Sequence, residues 1–272
     1  MRTLQNQTLL YDEDCPLCKA YTTTFIKIGM LDTNGRKSYC SINLEEKSYV
    51  DIVRASNEIA LIDNHNKTVI YGIDSLLKVI GNSFPIIQKI GNFKPIHCFL
   101  KKLYSFISYN RKVILPGNPK SKKVNCEPSF NLAYRIGYLL FSILITGFVL
   151  TKFSTLIPYI KQSSHFREIA IALGQLLFQM VFLHKDTLKK QMDYYGNLIT
   201  VSLIGSILLS PMLVLNALTS LSFPIVAIWF FTVVLIMFFE HKRRVQLLEL
   251  PSYLSYTWIL YRIIVLVLLL KF

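Results

Sequence analysis

The stretch Thr8-Leu9-Leu10-Tyr11-Asp12-Glu13-Asp14-Cys15-Pro16-Leu17-Cys18, residues 8–18, decides how this chain is read. Thr8–Tyr11 has the apolar make-up of a short strand, the acidic run Asp12–Asp14 turns the chain, and a helix is expected over about residues 16–30. Cys15 stands where strand gives way to helix. Pro16 suits the first helical turn, where its missing N–H costs nothing. A cysteine at a helix start faces unpaired backbone N–H groups and the positive end of the dipole, and both favour thiolate. Cys18 lies nearly one turn further on, within reach of a mixed disulfide held by Cys15. Cys15 is therefore expected to attack and Cys18 to resolve. Asp12, Glu13 and Asp14 work against this, because nearby negative charge disfavours a thiolate. Exposure of the Cys15 sulfur at the helix start, with Cys18 about 3.5–4.5 Å away at Cβ, favours exchange; a buried Cys15 sinks it.

Outward from this stretch the pattern stays α/β. Ser38–Asn43 reads as a second strand and residues 45–56 as a helix. Glu58–Asp63 and Thr68–Tyr71 flank the polar turn Asn64-His65-Asn66-Lys67 and predict a hairpin. Gly72 begins a turn, and Asp74 is placed to cap a helix running to about Ile80. The order β-α-β-α-β-β-α is thioredoxin-like, with a C-x-x-C at the first strand–helix junction. Two cysteines so spaced also begin zinc sites, and two inert core cysteines are the bland alternative. Zinc needs two further ligands, and Cys40 is the one candidate on the next strand, so no metal is expected. Cys40, Cys98 and Cys126 read as small buried hydrophobes, with Cys126, just before the first apolar span, placed as an extra exchange partner. His65, His97, His165, His184 and His241 are scattered. Gly81, Gly91 and Gly117 are isolated, so no phosphate loop supports ATP or nicotinamide use, and no cofactor is expected.

The run from Tyr11 to Cys18 resembles the motif of the DCC family of thiol-disulfide oxidoreductases, an apolar strand followed by Asp-x-x-Cys-Pro-x-Cys. Asp12, Cys15, Pro16 and Cys18 occupy its places, while Glu13 stands where that family often has glycine. Gly72-Ile73-Asp74-Ser75 is similar to the family's Gly-x-x-Ala/Ser segment, and Tyr109-Asn110-Arg111 to its closing Arg/Asn-rich helix end. The resemblance covers about residues 6–115. It implies a thioredoxin-like fold and dithiol–disulfide exchange with protein or small-molecule thiols and disulfides. Thioredoxins present a cis-proline before a central strand; no proline stands before Ile59.

The rest of the chain is of another kind. Of 272 residues, 52% are hydrophobic and 17% charged, against about 25% charged in soluble domains. The net charge is +14. Up to residue 128 there are 18 basic and 11 acidic residues; beyond it, 12 and 5 in a far more apolar segment. Phe130–Leu150, Ile169–Leu183, Leu198–Leu218, Ser222–Phe239 and Tyr253–Leu270 are candidate spans, with a bend expected at Pro211. The chain is thus divided into a thioredoxin-like domain over 1–115, a basic connector over 116–128 and an all-α transmembrane bundle of about five helices over 129–272.

The N-terminus shows no apolar core of signal-peptide length. Basic residues cluster before the first candidate span (Lys101, Lys102, Arg111, Lys112, Lys120, Lys122, Lys123), between the second and third (Lys185, Lys189, Lys190), and after the fourth (Lys242, Arg243, Arg244). The positive-inside rule then puts the head in the cytoplasm and makes anionic lipid the partner of these charges. Nucleic-acid binding needs a reading element, and none is present. Within the spans, Ser202, Ser206 and Ser210 beside Gly205 read as a close helix contact, and Gln175 and Gln179 as interhelical hydrogen-bonding groups. Arg262 interrupts the last span and needs a partner, Glu240 or a lipid headgroup. The reading is a membrane-tethered oxidoreductase served by an oxidant or a membrane electron carrier. The rival is a transport or scaffold protein with a non-catalytic head, which a polar cavity lined by Gln175 and Ser206 would favour.

Overall fold

A computed structural model of the chain describes residues 2–117, 128–158 and 163–271, divided into two compact units, Met1–Tyr134 and Arg135–Phe272. The first unit contains β1 (Gln7–Tyr11), α1 (Pro16–Lys27), β2 (Arg36–Ser38), α2 (Ile52–Asn57), β3 (Ala60–Asp63), β4 (Thr68–Tyr71), α3 (Ile73–Ser83), α4 (Pro85–Asn92) and α5 (Lys94–Ile114). Its four-stranded sheet has the order β2-β1-β3-β4. β1 runs parallel to β2 and antiparallel to β3, and β3 antiparallel to β4. This is the thioredoxin-like arrangement, with helices packed on a mixed sheet.

Side chains alternate across the sheet as strand geometry demands. Leu9 and Leu61 point to one core, with Phe25, Met30 and Val79; Leu10, Ala60 and Ile62 point to the other, with Tyr39, Val50 and Ala55. β1 therefore carries apolar residues on both faces, and its C-terminal end is fixed from both sides.

Some boundaries differ from the sequence reading. β2 ends at Ser38 instead of running to Asn43, because the Ser38 hydroxyl accepts the Cys40 N–H (3.3 Å) and starts a 3₁₀ turn, Tyr39–Ser41. The helix expected over 45–56 is two pieces, a 3₁₀ turn Glu46–Ser48 and then α2, whose start is fixed by the Asp51 carboxylate accepting the Arg54 N–H at 2.9 Å. α1 stops at Lys27, and Gly29 at φ +73° carries the chain away in a conformation glycine adopts freely. α3 is capped by Gly72; Asp74 sits in its first turn and meets His97 Nε2 at 2.7 Å.

The second unit holds five helices: α6 (Leu132–Ser154, entering from the first unit), α7 (His165–Leu183), α8 (Leu188–Thr219), α9 (Phe223–Leu247) and α10 (Tyr253–Lys271). All five are long and apolar enough to cross a membrane, which supports an integral membrane protein. α8 starts at Leu188, not Leu198, because Thr187 caps it (3.5 Å to Lys190 N), and Pro211 lies inside it. Gly205 of α8 faces Met237 of α9: a Cβ there would meet Met237 Cε at 2.9 Å, so the small-residue stripe is a close helix contact. Ser206 and Ser210 donate to carbonyls one turn back, Ser202 and Ser206, at 3.0 and 2.8 Å. Gln179 joins α10 through Leu254 O (3.5 Å) and Thr257 (3.2 Å). Gln175 is buried, and its amide makes no hydrogen bond among the described residues. Arg262 does not meet Glu240, which pairs with Arg243 (2.7 Å) and Arg244 (2.8 Å). Instead Arg262 donates to Ser202 Oγ at 3.0 Å and lies 5.2 Å from the Trp258 ring centre. A cavity of about 380 Å³ opens beside it, with mostly apolar walls; Ser206 lines it and Gln175 does not.

Candidate active site

β1 and α1 place the two cysteines. Cys15 is the N-cap of α1 with extended backbone (φ −93°, ψ 111°), and its Sγ accepts the Cys18 N–H at 3.4 Å. A sulfur thus takes the place a serine or aspartate oxygen usually fills at a helix start. Pro16 occupies the first turn, as expected. Asp12 shapes the turn ahead of them: its Oδ1 accepts the Asp14 N–H (3.1 Å) and its carbonyl the Cys15 N–H (3.3 Å). The sequence-identified residues Asp12, Cys15, Pro16 and Cys18 therefore form one compact turn. Both thiols are free.

One expectation fails. Cys15 is only 3% exposed and Cys18 8%, so neither sulfur is open to solvent. The residues after α5 contribute to this: a Cβ on Gly117 would collide with the Asp14 carbonyl oxygen and lie 2.8 Å from Pro16 Cδ, so the chain at 117 lies against the cysteine turn.

Beneath the turn lies a residue that the sequence reading had assigned to the membrane-flanking basic cluster. Arg111 of α5 is buried, 5% exposed, and its guanidinium is spent inside the head. Nη2 donates to Asp12 Oδ2 at 2.8 Å and to Ser56 O at 2.7 Å; Nη1 donates to Asn57 O at 3.1 Å and Ser108 Oγ at 3.0 Å. Ser108 Oγ donates in turn to Asn57 O. The last turn of α2, just ahead of β3, offers two carbonyls to this arginine. Tyr104, also on α5, accepts the Ile59 N–H at 2.8 Å just beyond.

The charges act on the sulfurs. Cys18 is pulled down to about 7, first by its hydrogen bond with Cys15, against burial, and then by the Arg111 guanidinium and the Tyr21 hydroxyl. Cys15 is pushed up by the same hydrogen bond, by burial and by the charge on Cys18. The pair as a unit gives up one proton readily and holds the second, because a second negative charge would sit beside the first. Arg111 is raised above its ordinary value: burial opposes its charge, but Cys18 and Asp12 sustain it. Tyr21 and Tyr39 are pushed up by burial, and Tyr104, for the same reason, up to about 12.

Sequence reasoning named the turn and missed its support. Tyr104, Ser108 and Arg111 are spaced four and three residues apart, on one helical face. That spacing, together with the Tyr109-Asn110-Arg111 resemblance, was the available signal. The other cysteines differ from expectation: Cys98 is exposed on α5, and Cys40 is half-buried and disulfide-bonded. Cys126 lies outside the described residues. Among the described residues no three His, Cys, Asp or Glu side chains are grouped to hold a metal ion.

Residues 9–115 match the family model of the DCC1-like thiol-disulfide oxidoreductases, a segment that includes the end of β1, both cysteines and Arg111. No curated protein and no solved structure matches the chain.

Proposed function

We propose that this DCC1-like domain exchanges a dithiol for a disulfide at Cys15 and Cys18 while tethered to a membrane by the five helices that follow it. The observation that carries the reading is a buried guanidinium, ion-paired with Asp12, beside two free thiols; its charge helps lower Cys18. An inert pair of core cysteines has no use for a buried cation, which is costly to place unless it stabilises negative charge.

In the exchange, the Cys15 thiolate attacks one sulfur of a substrate disulfide, forming a mixed disulfide and releasing the other substrate sulfur as thiolate. Cys18 then attacks Cys15 Sγ, closing the Cys15–Cys18 disulfide and releasing the second substrate thiolate. The substrate gains two electrons and two protons, and the cysteines lose them. The pair carries one negative charge between the two sulfurs, and Cys15 attacks when that charge is on it. Cys15 takes the first role because it precedes the helix, on the side covered by the Gly117 segment, whereas Cys18 faces Tyr21 and Arg111. Access requires that segment to move aside. Substrates are protein or small-molecule thiols and disulfides.

The basic clusters support a cytoplasmic head. Lys185, Lys189, Lys190, Lys242 and Arg243 remain available to that rule after Arg111 is withdrawn from it. The Cys40 disulfide runs against a reducing compartment; in such a compartment the Cys15–Cys18 pair rests as a dithiol until an oxidant or a membrane electron carrier draws on it.

The test is alkylation of the detergent-purified chain, titrated against pH and against redox buffer. The expected result is a reactive thiol titrating near neutrality and a reversible Cys15–Cys18 disulfide. A midpoint at the ordinary cysteine value of about 8.5 with no such disulfide would defeat the proposal. Cys18→Ser should accumulate the mixed disulfide on Cys15; accumulation in Cys15→Ser instead would reverse the two roles.

A further inference from the structure

The structure points to a lipid-docking face on the head, made by α4 and the outer side of α5. Large apolar side chains stand in the open along both helices. Ile86 is 73% exposed and Phe99 64%, and Ile90, Phe93, Leu103 and Ile107 are exposed with them. Phe99, Leu103 and Ile107 follow one another at intervals of four, so they share a face of α5. Tyr104, Ser108 and Arg111, on a different side of the same helix, turn into the head. α5 is therefore amphipathic, with its inner side in the domain core and its outer side uncovered. A run of this size is unusual on a soluble surface and marks contact with a partner or a membrane.

The charge around the face selects the partner. Lys89, Lys94, Lys101 and Lys102 are exposed on the same two helices. From Ser75 to Cys126 the sequence contains no acidic residue at all. Protein interfaces exclude lysine from their apolar centres and need carboxylates to answer lysines at the rim. An anionic bilayer answers both features at once: apolar side chains enter the acyl boundary and the lysines meet headgroup phosphates and carboxylates. The same chain supplies the membrane, since five helices able to cross it begin at Leu132. A tethered head meets lipid at high effective concentration, so a contact too weak to recruit a free domain is enough to orient this one.

The test uses the full chain in nanodiscs of phosphatidylcholine, with and without phosphatidylserine. Trypsin cleavage at Lys89, Lys101 and Lys102 is followed against Lys19 and Lys27 of α1 as internal references. Phosphatidylserine should slow the first group by at least about tenfold, given roughly 1 kcal/mol per basic residue at an anionic surface, and leave the references unchanged. A phosphatidylserine carrying a diazirine near its headgroup should label residues 84–107. Ile86→Glu with Phe99→Glu should abolish protection and labelling together; both positions are exposed, and an unchanged alkylation profile of Cys15 and Cys18 reports that the head stays folded. Equal cleavage in both discs, or absence of label from 84–107, would overturn the inference. So would protection that depends on protein concentration and not on lipid, which would mean that a second copy covers the face.

Discussion

Arg111 Nη2 and Asp12 Oδ2 are 99 residues apart in sequence and 2.8 Å apart in space, both buried within a few side chains of the cysteine pair. The last helix of the head thus closes onto its first turn, and the contact has electrostatic as well as structural consequences.

Removing one member of this pair leaves a buried charge without its partner. Arg111→Ala and Asp12→Asn should each destabilise the head by about 3–5 kcal/mol, read as a lower urea midpoint. Their effects on thiol chemistry should be opposite. Arg111 lowers the Cys18 value and Asp12 raises it. The alkylation midpoint should therefore rise by about one pH unit in Arg111→Ala and fall in Asp12→Asn. Arg111→Lys keeps the charge but cannot span four acceptors, so it should recover the midpoint better than the stability.

The stability of the reduced head should depend on pH with two opposite slopes. Cys18 is lowered from 9.0 to about 7 on folding, so between those values the unfolded chain holds more protons and stability rises with pH. Cys15 is raised above 9.0 on folding, so above that value the unfolded chain ionises it more easily and stability falls. Thermal melts of the reduced protein should pass through a maximum near pH 9, and a Cys15→Ser, Cys18→Ser double variant should lose that maximum.

Gly117→Ala should open the site. The added Cβ has no room between the Asp14 carbonyl and Pro16, so the segment has to shift off the turn. Alkylation should become faster at fixed pH with the midpoint unchanged, which separates access from electrostatics. An unchanged rate would show that the Gly117 segment does not limit entry.

In the membrane unit, Gly205→Val drives a side chain into Met237 across the α8–α9 contact. Overpacking of this kind costs about 1–3 kcal/mol, and the expected result is a lower melting temperature in detergent with the alkylation profile of Cys15 and Cys18 intact.

Local features of this protein were legible in its sequence. The strand, the acidic turn and the Cys-Pro start of α1 are set by neighbours within a few residues, and so is the hairpin, whose second strand is Thr68–Tyr71 as read. The spans were legible because their signal is length and apolarity alone. α2 was misplaced because Asp51, a cap inside the expected helix, outweighs the average propensity around it. Arg111 was misassigned for a different reason. Beside Lys112, and ahead of the basic run that precedes Phe130, it has the look of an anchor, and only the closure of α5 on Asp12, Ser56 and Asn57 reveals its other use. Part of what surrounds Cys15 also comes from far along the chain, since residue 117 lies against Asp14 and Pro16 on either side of it.

That closure sets an order of events during synthesis. The ribosome makes Cys15 and Cys18 long before Arg111, so the nascent chain carries them first as ordinary thiols, little ionised at neutral pH. The guanidinium that tunes them arrives with the end of α5, only shortly before Leu132 opens the first helix bound for the membrane. The Cys18 thiol is therefore lowered by Arg111 only once α5 is complete, shortly before Leu132 opens the first of the long apolar helices.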